Sequence, residues 1–359
     1  MVTRFMEPPK EPKEFLRLDI GTKRVWYILS TSNPSQNRIF HQEQTPMKNS
    51  LIRRALVAPG ALLIVSLMVA GSARAQAPVD DSKTVVKSNK ITDSFYTVDG
   101  RGGTIGVLVG PQGTFMVDTQ FAPLTDRIVA EIKKISPNPI RFVVNTHVHP
   151  DHTGGNANMA KLGATIFARD ELRDRLMNPA AGANGQPGTP APDVALPVIT
   201  YENKVTFHMD GEIVDLIPIR RAHTDGDTMV YFHNADVIMT GDFYRSIGYP
   251  NIDRVNGGSL DGMIAGLGQV VALAGPNTKI IPGHGPTVDR TAVMAHRDMI
   301  IGVRNEVAKL MKEGKTSDEV VAAHPSAAFD ASVPPAAPNG DKMADRFVGQ
   351  LYAELKSAK

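Results

Sequence analysis

A mixed α/β fold is what this sequence predicts, and three observations carry the prediction. Short apolar runs alternate with Gly-rich turns over residues 95–117, which is strand and hairpin patterning. Leu124, Ile128, Val129, Ile132 and Ile135 then recur at helical spacing. The whole chain repeats this alternation: β-rich, a few helices, β-rich, then helices to the end.

The elements follow in order. Residues 95–98, 105–109 and 114–117 read as strands divided by DGRGG and GPQG turns. Gly100, Gly102, Gly103 and Gly106 imitate a phosphate-binding loop, but the run leads into a strand and not a helix, so it reads as a hairpin turn. A helix is expected over 124–135, a buried strand over 141–145 and a short helix over 170–177. Residues 178–197, NPAAGANGQPGTPAPDVALP, are loop by composition, and a run of this length is usually a functional lid or a linker. Strands are expected at 205–208, 213–219, 229–232 and 237–240, a helix at 259–274 and a strand at 279–281. Helices at 290–313, 317–323 (with Ser317 as its cap) and 342–356 complete the chain.

The 359 residues are 42% apolar and 21% charged, with no cysteine. Any bound metal must therefore take nitrogen or oxygen donors. The N-terminal region carries a secretory signature from Met47: Lys48, Arg53 and Arg54, then an apolar stretch over 56–70, then Ala73-Arg74-Ala75. That apolar stretch contains Pro59 and Gly60 and is short of the roughly 20 residues a membrane span needs. The expectation is a cleaved signal peptide over 47–75, a non-native or disordered extension over 1–46, and a single domain over 76–359 that is periplasmic or secreted and not held in a membrane. Eleven Lys and Arg against five Asp and Glu give residues 1–75 a net +6, leaving −4 for the rest of a chain whose total is +2. A mildly acidic domain offers no footprint for nucleic acid, so the expected partner is a small molecule. Oligomeric state is not legible.

The chemistry concentrates in NTHVHPDHTGGN, residues 145–156, where His147, His149, Asp151 and His152 fall within six positions. His147 and His149 alternate by two, so an extended strand end points them the same way. Asp151 and His152 follow on the turn after Pro150, and Gly154 and Gly155 let that turn fold back. A zinc site wants about four ligands, so partners must come from downstream. His223 in RRAHTDGD, Asp242 in MTGDF and His284 in IPGHGP each follow a predicted strand, where sheet proteins gather functional groups. His41, His208, His233, His296 and His324 lack that setting. Asp225 and Asp227 read as turn residues, and Thr146, Thr224 and Asp118 as groups that orient the imidazoles.

These motifs, with VDT around Asp118, THVHPDH, the AHTDGD segment, GD at Asp242 and PGHG, resemble the metallo-β-lactamase-fold hydrolase superfamily over roughly residues 90–300. YPNID at 249–253, the GGS-led helix and the RFVGQLYAEL tail resemble an exported group within it. The resemblance implies a four-layer αβ/βα sandwich with metals at one edge between two sheets. It implies that His147, His149 and His223 hold one zinc, that Asp151, His152 and His284 hold the other, and that Asp242 bridges them, with Asp118 a structural carboxylate. Two such ions, about 3.5–4 Å apart, can bring the pKa of a shared water from about 16 to about 7. The hydroxide then attacks a carbonyl carbon while Asp151 orients it. The same donors accept iron or manganese. Arg245, at the offset where related lactamases carry a carboxylate-gripping lysine, and Tyr249 are the expected substrate contacts.

The implied activity is hydrolysis of a β-lactam, lactone or ester by an exported enzyme. Three other readings stand beside it: a glyoxalase-II-type thioester hydrolase, an iron-dependent sulfur dioxygenase, and a non-enzymatic zinc-binding protein. A flavodiiron oxidoreductase would want a carboxylate in place of His149 and a flavin domain for which the chain has no room.

Overall fold

Two back-to-back sheets place the functional loops. The structure, a computed structural model, describes strand backbone at 14–20, 23–29 and 38–41, and residues 80–181, 185–336, 340 and 342–357. The chain divides into two units, Met1–Ala75 and Gln76–Lys359. In the first, β1 (Glu14–Ile20), β2 (Lys23–Leu29) and β3 (Arg38–His41) pair as an antiparallel sheet, where the sequence suggested no elements. The expected signal segment, 47–75, lies outside the described residues.

In the second unit, one sheet has seven strands: β4 (Lys87–Lys90), β5 (Phe95–Asp99), β6 (Ile105–Gly110), β7 (Gly113–Val117), β8 (Ile140–Val144), β9 (Thr165–Arg169) and β10 (Ile199–Tyr201). They lie side by side in sequence order, antiparallel through β7 and parallel from β7 to β10. The other sheet has β11 (Val205–Met209), β12 (Glu212–Pro218), β13 (Thr228–Phe232), β14 (Val237–Met239) and β15 (Lys279–Ile281), again in order. Here β11 to β14 are antiparallel, and β14 and β15 parallel. That pairing makes β12, β14 and β15 run the same way, so the loops leaving them open at one end of the sheet.

The helices are α1 (Thr125–Ile135), α2 (Pro150–Thr153), α3 (Asn156–Lys161), α4 (Asp170–Met177), α5 (Leu260–Leu273), α6 (Arg290–Lys312), α7 (Ser317–Ala322) and α8 (Ala344–Ser357). Alternate strand residues point to opposite faces, which gives three cores. Phe95, Phe115 and Val144 meet Val214, Val230 and Phe232 between the sheets. Ile128 and Ile132 of α1 cover Val107, Met116 and Val143 on one outer face. Leu267, Val303 and Leu351 of α5, α6 and α8 pack with Met229, Ile238 and Ile280 on the other. The order of layers is helix, sheet, sheet, helix, as expected. Among the described residues no helix is long and apolar enough to cross a membrane.

Several local expectations need correction. The cap of α7 is Thr316, whose side chain accepts from Glu319 N while Glu319 reaches back to Thr316 N; Ser317 is already inside the helix. The turn after His149 is the single-turn helix α2, with Pro150 in its first turn, where proline's missing N–H costs nothing. Strand β8 ends at Val144, so His147 and His149 lie beyond it and not on its extended end. Strands β4, β9 and β10 and helix α3 carried too few residues, or too uniform a burial, for their periodicity to show.

Candidate metal centre

Seven side chains converge where the two sheets' loops meet. The β8–α2 segment brings His147, His149, Asp151 and His152. His223 follows β12, Asp242 follows β14, and His284 follows β15. Their donor atoms group as His147/His149/His223, His147/His152/Asp242 and Asp151/His152/His284, with the atoms of each group within 4.8 Å of one another. Asp242 stands between the sets. Its Oδ1 is 3.3 Å from Nε2 of both His152 and His284, and its Oδ2 is 4.0 Å from His223 Nε2. Asp151 Oδ2 lies 3.1 Å from His284 Nε2 and 3.7 Å from His152 Nε2.

The partners of the other ring nitrogens decide which way each lone pair faces. His152 Nδ1 is 2.7 Å from Asp118 Oδ2, His149 Nε2 is 2.7 Å from Asp253 Oδ2, and His223 Nδ1 is 2.7 Å from the Asn251 carbonyl. Each of these partners only accepts, so each of these nitrogens donates. Thr146 Oγ1 donates to Asp118 Oδ2 at 2.7 Å and so accepts from His147 Nδ1 at 3.1 Å. The lone pairs of His147 Nε2, His149 Nδ1, His152 Nε2 and His223 Nε2 are thereby turned toward the cluster. His149 Nδ1 and His223 Nε2, 3.0 Å apart, are both acceptors on this assignment and cannot bond each other. They face a common point, as two ligands of one cation do.

The donor set fits a pair of divalent ions. His147 Nε2, His152 Nε2 and Asp242 Oδ1 are buried without a hydrogen-bond partner, each an omission worth about 1–3 kcal/mol. An ion would satisfy all three. Burial holds His147 well below the usual histidine range and His223 down to about 4, which keeps both neutral as ligands must be. Burial also opposes charge on Asp242, but His284 and His152 hold it well below the usual carboxylate range. Burial opposes charge on His152 too, yet Asp118 and Asp242 lift it well above the usual value.

The scaffold explains the glycines and turns. A Cβ on Gly103 would sit 2.1 Å from His152 Cε1, so only glycine lets the β5–β6 hairpin close over that ring. A Cβ on Gly154 would meet the Pro150 carbonyl at 2.5 Å. Asp118 adopts φ 63 to turn its carboxylate onto Thr146 N, at 2.7 Å, and Thr146 Oγ1. Asp227 is a turn residue, buried, accepting from His223 N, Thr224 N and Thr224 Oγ1; burial pushes its carboxyl up to about 7. Thr224 thus serves Asp227, not an imidazole. Asp225 pairs with Arg175 at 2.7 Å.

The two expected substrate contacts are placed elsewhere. Tyr249 is fully buried, stacks on Phe347, and donates to Asp330 Oδ1 at 2.7 Å; it is a core residue. Arg245 bridges His284 through backbone but lines a separate cavity of about 310 Å³ with Tyr244 and His296. Asp253 and the Asn251 carbonyl were missed, although both lie in the YPNID segment. Asp253 also caps the 3-10 turn Arg254–Asn256, accepting from Asn256 N at 3.1 Å, so in the sequence it reads as a capping residue and nothing marks its second partner.

Residues 98–291, more than half of the chain, match the Metallo-beta-lactamase superfamily family profile. A linear primary-alkylsulfatase from Pseudomonas sp. (strain ATCC 19151) is 21% identical over 60% of this chain and 48% of its own length. A hydroxyacylglutathione hydrolase from Pelagibacter ubique (strain HTCC1062) is 28% identical over 40% of this chain and 52% of its own. The chain thus spans about half the length of these curated relatives. The solved metallo-β-lactamase from Pontibacter korlensis superposes with a TM-score of 0.50 at 17% identity, over 60% of this chain and 99% of that one, a likeness of fold. With its layer order and its loop-borne His/Asp cluster, the chain belongs to the metallo-β-lactamase superfamily.

Proposed function

We propose that this protein is an exported dinuclear zinc hydrolase that cleaves a carbonyl substrate, a lactone, ester or β-lactam. The observation that carries the reading is Asp242, whose two oxygens face two different imidazole sets. His147, His149 and His223 would hold one ion and Asp151, His152 and His284 the other, with Asp242 shared. Bound there, such ions supply an activated water and polarise the carbonyl. The chain's own groups do the rest. Asp118, Asp253 and the Asn251 carbonyl fix the ring tautomers, as outer partners of ligating histidines do. The side chains of His149, Asp151 and His284 are 23%, 24% and 20% exposed, so substrate arrives over them. Asp151, at that opening, would also orient a water there; burial opposes its charge, but His284 outweighs burial and holds the carboxyl down at about 2, so it stays an ionised acceptor. Cleavage after Ala75 and a periplasmic or secreted location belong to the same proposal.

The test is metal quantification on the purified protein joined to a panel of lactones, carboxylic esters and β-lactams. Two zinc ions per chain with turnover of one of these classes is the expected result. The hydroxyacylglutathione hydrolase likeness adds thioesters to the panel, and the alkylsulfatase likeness adds sulfate esters. One iron per chain would favour the dioxygenase reading. A zinc-loaded protein inert to every class would be a zinc-binding protein.

A further inference from the structure

Beside the candidate metal centre lies a cavity of about 440 Å³, between α2, α4, residues 179–181 and 189–195, and the turn at 254–256. His149 belongs to both: it is a candidate ligand of the ion cage and a wall of the cavity. The remaining walls are largely aliphatic, among them Leu176, Pro179, Ala180, Ala191 and Pro192. Val255 stands at the rim, 63% exposed, an apolar side chain left in water. Arg175 also lines the space, but its guanidinium is committed to Asp225, at 2.7 and 3.3 Å, and to the Val255 carbonyl at 3.2 Å. That ion pair removes the cation that an anionic substituent would need.

From this we infer that the cavity takes the non-reacting part of the substrate, and that this part is an uncharged aliphatic chain. The inference rests on the hydrolase reading above and adds the substrate class to it. A chain anchored at its carbonyl over His149 and Asp151 would run into the cavity and displace water from its walls. Pockets of this kind, mostly apolar with a few placed polar groups, bind by area removed from water.

The experiment is a chain-length series with the zinc-loaded protein. The 4-nitrophenyl esters from acetate to decanoate are compared in the parent protein and in Ala191→Phe, which fills the cavity from its loop wall. In the parent, kcat/KM is expected to rise about fourfold per added methylene until the cavity is full, the transfer free energy of one methylene expressed as a rate ratio. Ala191→Phe should shorten the rising part of the series. Calorimetry with 1-octanol reads the same pocket without turnover: binding with a negative heat-capacity change, lost in Ala191→Phe, is expected. A flat series in the parent, or one unchanged by Ala191→Phe, overturns the inference while leaving hydrolysis standing. No turnover of any ester, with octanol still bound in the cavity, would instead remove the ester reading and keep the pocket. Octanol binding that Ala191→Phe does not alter would place the apolar site elsewhere.

Discussion

Replacing Asp253 by Ala should weaken one of the two proposed metal sites and spare the other. Asp253 accepts from His149 Nε2 at 2.7 Å, which leaves Nδ1 free to ligate. A hydrogen bond to a charged group is worth about 1.5–3 kcal/mol, or about 10–150-fold in affinity. The Asp253 and His149 side chains are 16% and 23% exposed, so water replaces part of the loss. The expected effect therefore sits near the low end, about tenfold, within the range of about 10–100-fold seen for outer partners of metal ligands. Competitive zinc titration against a chromophoric chelator resolves two binding steps, and only the one assigned to His147, His149 and His223 should shift. Asn256→Ala is the control: it loosens the same turn, where Asn256 Nδ2 donates to Asp253 at 2.7 Å, yet leaves His149 its acceptor. An equal shift in both steps, or none, would refute the tautomer argument.

Four further outcomes are expected. Asp118→Asn, which disturbs the bonds to His152 Nδ1 and Thr146 Oγ1, should weaken the other zinc step in the same titration. Tyr249→Phe removes a buried hydroxyl bonded to Asp330 and Ser326 and should cost about 1–3 kcal/mol in urea unfolding without altering kcat/KM. Gly103→Ala should lose tightly bound metal by elemental analysis, since its Cβ would overlap the His152 ring. Chelation should lower the melting temperature: free zinc at about a thousand times its Kd adds about 4 kcal/mol, and about 2–4 °C accompanies each kcal/mol in a domain of this size, so a fall of roughly 8–16 °C is expected in calorimetry.

The seven converging side chains were legible because each sits just past an apolar run, in a turn marked by Gly, Pro or Asp. The sheet-and-helix order was legible for a related reason: long periodic segments such as α1 and α6 declare themselves. What failed to show depends on neighbours far along the chain. Tyr249 looked like a substrate contact because its loop adjoins the site, yet the loop turns its ring inward onto Phe347. The partner of His223 is a backbone carbonyl, that of Asn251, and a carbonyl has no residue type to recognise. Arg169, only 1% exposed, reaches the loop after β12 and donates to the Asp225 carbonyl at 2.7 Å, a long-range commitment that local sequence does not carry. Strand β10 is three residues long, too short for alternation to register.

The seven candidate ligands divide four to three between loops from the two sheets, and that division has a consequence for biogenesis. The first four are synthesised together, but His284 comes last and after the strand that presents it. On the assignment proposed above, a nascent chain lacking β15 already carries the whole set for one ion, His147, His149, His223 and Asp242, but it lacks His284 and so one holder of the other. Filling of the second proposed site would then mark a finished chain, and a chain truncated before residue 279 should take up one ion at most.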